Sequence, residues 1–102
     1  MKAVIYRKLY DTDTATLLAT WENSYYPTNP RHIYEALYQK KNGEYFLYGT
    51  GGSLTHYCKT DVDHGYSGEE KITPLSTDEA KDWVEIHADT ATYIKCFGDV
   101  EE

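Results

Sequence analysis

Two runs of alternating apolar residues, IYEALYQ at 33–39 and EYFLYG at 44–49, stand on either side of Lys40-Lys41-Asn42-Gly43. No other feature constrains the fold as much. Asn-Gly supplies the positive-φ positions of a tight reversal, so the two runs are expected to pair as antiparallel strands. A strand pair of this kind must bury at least one face, and the flanking sequence supplies what can cover it.

Upstream, AVIYRKLY (3–10) and ATLLATW (15–21) combine β-branched and aromatic residues with two-residue alternation around the polar break Asp11-Thr12-Asp13-Thr14. They are expected to form a first hairpin. Pro27, Asn29 and Pro30 make 22–31 an irregular loop, with Tyr25 and Tyr26 either tucked under it or displayed. Downstream, Gly49-Thr50-Gly51-Gly52 is expected to break the sheet, SLTHYC (53–58) to be a short strand or turn, and the polar, glycine-containing 59–71 to be an exposed loop.

Helical periodicity enters only near the end. Ser76-Thr77-Asp78-Glu79 is a capping box that starts a helix at Thr77, with Leu75 as a staple before it. Ala80, Trp83, Val84 and His87 fall at i, i+3, i+4 and i+7 and share the face that should pack on the sheet. Asp78, Asp82 and Glu85 lie off that face. Asp89 reads as a second N-cap, Tyr93, Ile94 and Phe97 as inward positions, and Gly98 as the stop. Strands first and helices last imply an α+β fold. The expected architecture is an antiparallel sheet of about four to five strands built from two hairpins, with one or two C-terminal helices on one face. At 102 residues, positions 1–102 are expected to be a single domain.

Charge narrows the function classes. The chain carries net −7, unevenly placed: residues 1–58 hold six Lys/Arg against five Asp/Glu, and residues 59–102 hold four against twelve. Phosphate backbones repel such a C-terminal half, whereas a basic protein surface attracts it. Eleven Tyr against two Phe place most aromatic bulk on half-buried faces, where the hydroxyl finds water or a partner. MKAVIYRKLYDTD lacks the apolar core of a signal peptide and no run reaches membrane-spanning length, so a cytoplasmic location is expected, with Cys58 and Cys96 as reduced thiols.

The reactive residue types do not assemble into a motif. His56, Cys58, His64 and Cys96 are zinc-ligand types without knuckle spacing. Asp61-Val62-Asp63-His64-Gly65 has its glycine one place early for a calcium loop, with Ile72 where the closing glutamate belongs. Gly49-Thr50-Gly51-Gly52 lacks the Lys-Ser/Thr of a phosphate loop. Ser53, His56 and Asp61 or Asp63 supply only the types of a nucleophilic triad. No catalytic residue, metal or cofactor is implied, and a non-enzymatic protein is expected.

At KKNGEYFLYGTGGSLTHY (40–57), SGEEKITPLSTDEAKDWVE (67–85) and YIKCFGDVEE (93–102), the chain resembles a set of short uncharacterised proteins of conjugative elements, plasmids and phages of Firmicutes. The similarity covers most of the chain and carries no catalytic residues. The setting implies a counter-defence role, since small acidic proteins of mobile elements include anti-CRISPR and anti-restriction inhibitors of host nucleases. The leading expectation is thus a protein binder for a basic nucleic-acid enzyme, monomeric or homodimeric. Its acidic contacts would be Glu69, Glu70, Asp78, Asp82, Glu85, Glu101 and Glu102, with Tyr25 and Tyr26 as anchors. Two alternatives stand beside it. A nucleic-acid accessory factor would use Arg7, Lys8, Arg31, Lys40 and Lys41 beside stacking tyrosines. A small enzyme or ligand carrier would need a pocket with convergent histidines or acids.

Overall fold

A computed structural model describes residues 1–61 and 65–98. The chain runs β1 (Lys2–Ile5), β2 (Lys8–Asp11), β3 (Thr16–Glu22), β4 (Ile33–Gln39), β5 (Tyr45–Gly51), β6 (Lys59–Asp61), β7 (Gly65–Ser67), β8 (Glu69–Leu75), α1 (Thr77–His87) and α2 (Thr90–Phe97). The fold is α+β. Its centre is a four-stranded antiparallel sheet in the order β3-β4-β5-β8, and β1-β2 and β6-β7 form separate two-stranded pairs.

The β4-β5 reversal forms as its sequence requires, but only Gly43 uses a positive φ, +94°. Asn42 contributes through its side chain, accepting from the Glu44 amide at 3.0 Å and donating to the Glu44 carboxylate at 2.7 Å. The first expected hairpin divides differently. Residues 3–10 do not pair with 15–21. β1 instead turns back on β2 through Tyr6 and Arg7, both at positive φ (51° and 66°), while β3 pairs with β4. Two consecutive positive-φ residues match the right-handed twist of a tight hairpin, so the backbone reverses here despite side chains that disfavour it.

Two other expectations are corrected. Gly49-Thr50-Gly51 does not break the sheet, because β5 runs through it to Gly51 and stays paired on both sides. Residues 59–71 are not an open loop, since they contain β6, β7 and the start of β8, which pairs with β5 from Gly51↔Glu69 to Tyr45↔Leu75. Pro74 is admitted in β8 because this strand closes one edge of the sheet, where a missing amide need not interrupt a ladder.

The helices begin as expected. Ser76 accepts from the Glu79 amide at 3.1 Å and the Glu79 carboxylate accepts from the Ser76 amide at 2.9 Å; Asp89 caps α2 through Thr92. Both helices lie on one face of the sheet. Leu37, Tyr45 and Leu47 meet Ala80, Trp83 and Val84 there, with Trp21, Tyr93 and Phe97 packed around them. Ile94 does not join this core and remains 43% exposed. The opposite face buries Phe46 and Ile72 beneath Tyr10 of the β1-β2 hairpin.

Candidate functional site

Strand alternation puts Ile33, Glu35 and Leu37 on the helix face of β4. Glu35 is 6% exposed at the centre of that face. It lies opposite Trp21 on β3 and Gly49 on β5. A buried carboxylate demands donors, and two arrive from distant parts of the chain. The Trp83 indole on α1 donates to Oε1 at 3.0 Å, and the Tyr57 hydroxyl donates to Oε2.

Gly49 and Gly51 explain how Tyr57 reaches the carboxylate. A Cβ at Gly49 would stand 1.9 Å from the Tyr57 hydroxyl oxygen, and one at Gly51 would stand 2.9 Å from the Tyr57 ring. The missing side chains leave a trough along β5 in which the tyrosine lies flat. Burial first, then the Glu35 hydrogen bond, pushes the Tyr57 phenol far above its ordinary value.

Two histidines complete the cluster. His56 Nε2 is 3.9 Å from Oε2 and His87 Nε2 is 4.0 Å from Oε1. The His87 ring sits 4.2 Å from the Trp21 ring and 5.2 Å from the Trp83 ring, centre to centre. Glu35 thus joins strand, loop 52–58 and helix in one hydrogen-bonded knot, and the described residues contain no buried side-chain polar atom without a partner. This arrangement ties α1 and the loop to the sheet. Two clefts open elsewhere, one between α1 and α2 and one beside the β4-β5 turn.

The expected acidic contacts fall into separate groups. Asp78, Asp82 and Glu85 are exposed along the outer side of α1, with no ion-pair partner among the described residues. Glu70 lies on the other face of the sheet, where it accepts from the Tyr48 hydroxyl at 2.7 Å. Burial first, then that carboxylate, pushes Tyr48 up to about 12. Glu69 is exposed at the start of β8, and Glu101 and Glu102 lie outside the described residues. Tyr25 and Tyr26 are displayed, at 45% and 81% exposure. Trp21 holds the end of α1 over β3, and β3 leads directly into their loop.

The basic residues are less available than their sequence suggests. Lys8 pairs with Glu44 at 3.0 Å, and Lys40 with the same carboxylate at 3.7 Å. Lys40 also sits 4.3 Å above the Tyr10 ring. The Glu44 hydrogen bond is the main cause raising Lys8, and the Lys8 hydrogen bond the main cause lowering Glu44. Cys58 and Cys96 are free thiols, and burial raises Cys96. His64 and the central residues of the calcium-like stretch, 62–64, lie outside the described residues.

Glu35 had escaped the sequence reading, although one signal pointed to it: a carboxylate between Ile33 and Leu37 on a face that must be buried. Its donors, Tyr57 and Trp83, lie 22 and 48 residues away, and no local pattern links them. Among known proteins, the chain matches no family model, no curated protein and no solved structure.

Proposed function

We propose that this protein is a non-enzymatic protein-binding module of a mobile element, acting in the cytoplasm as a counter-defence inhibitor of a basic nucleic-acid enzyme. The carrying observation is the outer side of α1, where Asp78, Asp82 and Glu85 follow at i, i+4 and i+7 without ion-pair partners among the described residues. Such a row on one side of a helix concentrates negative potential that a basic surface would complete.

Two further features support the reading. The helix is fixed from beneath by Ala80, Trp83 and Val84, so little order has to be gained when a partner binds. The resemblance of 40–57, 67–85 and 93–102 to proteins of conjugative elements, plasmids and phages supplies the counter-defence setting, of anti-CRISPR or anti-restriction type. Nucleic acid as a direct ligand is the weaker reading, because Glu44 already neutralises Lys8 and Lys40.

The test is affinity capture from nuclease-treated lysate of the native host, using wild-type protein and the D78N/D82N/E85Q variant. Capture of a basic nucleic-acid enzyme by the wild type alone is expected. Equal capture by both proteins, or capture of no such enzyme, would contradict the proposal.

A further inference from the structure

The acidic row on α1 ends at a cleft of about 290 Å³ between the two helices, lined by Glu85, Ala88, Asp89, Thr90, Tyr93 and Ile94. Its chemistry is divided. Ala88, Tyr93 and Ile94 provide an apolar lining, and Ile94 remains 43% exposed although it shares α2 with the packed Tyr93 and Phe97. Glu85 and Asp89 supply two carboxylates. Glu85 has no ion-pair partner among the described residues, and Asp89 engages Oδ1 with the Thr92 amide at 2.8 Å.

The backbone adds to this polarity. α1 ends here, and the partial negative charge of a helix C-terminus favours a cation. The N-terminus of α2 acts in the opposite sense, but Asp89 already accepts from the Thr92 and Tyr93 amides through its side chain and carbonyl. Lys81, one turn before Glu85, lies 5.9 Å from the centre of the Phe97 ring. Hydrocarbon beside paired carboxylates and an aromatic ring suits a long cationic side chain, which buries its stem while its head stays charged.

We infer that this cleft receives an arginine side chain from a protein partner, its stem along Ala88 and Ile94 and its guanidinium shared by Glu85 and Asp89 beside Tyr93. Arginine fits better than lysine because its planar, multi-donor head can bridge two carboxylates and stack on a ring at once. The source of the arginine rests on the protein-binding reading above, whereas the cation preference of the cleft does not.

The test is an NMR titration of the full chain with a short blocked peptide containing one arginine, alongside matched lysine and citrulline peptides. Saturable shifts of the Ala88, Thr90, Tyr93 and Ile94 amides are expected with the arginine peptide. Weaker shifts are expected with lysine and none with citrulline, and E85Q should weaken the arginine response several-fold. Equal responses to arginine and citrulline would overturn the inference, as would equal responses to lysine or shifts dispersed away from the cleft. Cleft shifts that follow protein concentration alone would assign a second copy of the chain instead, and would likewise overturn it. If the peptide binds but lysate capture fails, the cleft stands without the proposed function. If capture needs Asp78 and Asp82 but not Glu85, the function stands without the cleft.

Discussion

At the scale of single residues, Glu35 sets the most demanding conditions in the molecule. It is a buried carboxylate whose two oxygens are held by Tyr57 and Trp83. Removing a donor leaves desolvated charge, so Tyr57→Phe is expected to cost about 1–3 kcal/mol in urea unfolding. Gly49→Ala places a methyl group where the tyrosine hydroxyl lies and should cost at least as much, about 1–3 kcal/mol from overpacking alone. If the glycine is there for Tyr57, adding Gly49→Ala to Tyr57→Ala should cost much less than adding it to the wild type. A full cost in both backgrounds would show that the trough has another purpose.

Tyr48 gives a pH signature on the opposite face. Burial and the Glu70 carboxylate raise its folded value to about 12, against an ordinary 10.0. Between those limits the folded state holds more protons than the unfolded chain, so this contribution is intact below pH 10 and disappears as pH rises towards 12. Alkaline unfolding should therefore be shallower for Tyr48→Phe than for the wild type. It should not become flat, because Tyr38 and Tyr57 are raised as well, both chiefly by burial. Identical alkaline profiles for the two proteins would contradict the assignment.

At the scale of elements, local signals were legible wherever one short stretch determines the backbone. Asn42-Gly43 turns β4 into β5, and Ser76 with Glu79 starts α1. Ser76→Ala is expected to lower stability by about 1 kcal/mol, measured by thermal or urea unfolding. Pairing choices were less legible because several strands of similar character compete for partners. Residues 15–21 fit a hairpin with 3–10 as well as an edge beside β4, and the structure selects the edge, where Trp21 and Ala19 cover the helices. The β1-β2 reversal carries no turn signal, since Tyr6 and Arg7 are poor residues for positive φ. Replacing them with Asn-Gly should stabilise the protein by about 1 kcal/mol in the same assay. Loss of stability would show that the Tyr6 and Arg7 side chains support the hairpin.

At the scale of the whole molecule, the sheet separates two chemistries. The helix face holds the Glu35 knot and presents the acids of α1 outward, while the opposite face carries the Tyr48–Glu70 pair and the β1-β2 hairpin. Sequence reasoning identified Asp78, Asp82 and Glu85 as one group because helical spacing is local. It also counted Glu70 with them, and strand alternation places that residue on the other side. Glu35 escaped because its partners converge only in the folded chain. The tertiary knot therefore makes α1 a fixed platform, and the acidic row with its terminal cleft is the surface this platform displays.

Binding through that platform should depend on salt, because exposed carboxylates attract a basic partner through a screened field. The most direct measurement is the dissociation constant of the captured enzyme complex across a range of salt concentrations, for the wild type and for D78N/D82N/E85Q. The wild type should bind more weakly as salt rises, and the variant should bind more weakly at low salt with a flatter dependence. Equal affinities and equal slopes for the two proteins would contradict the account.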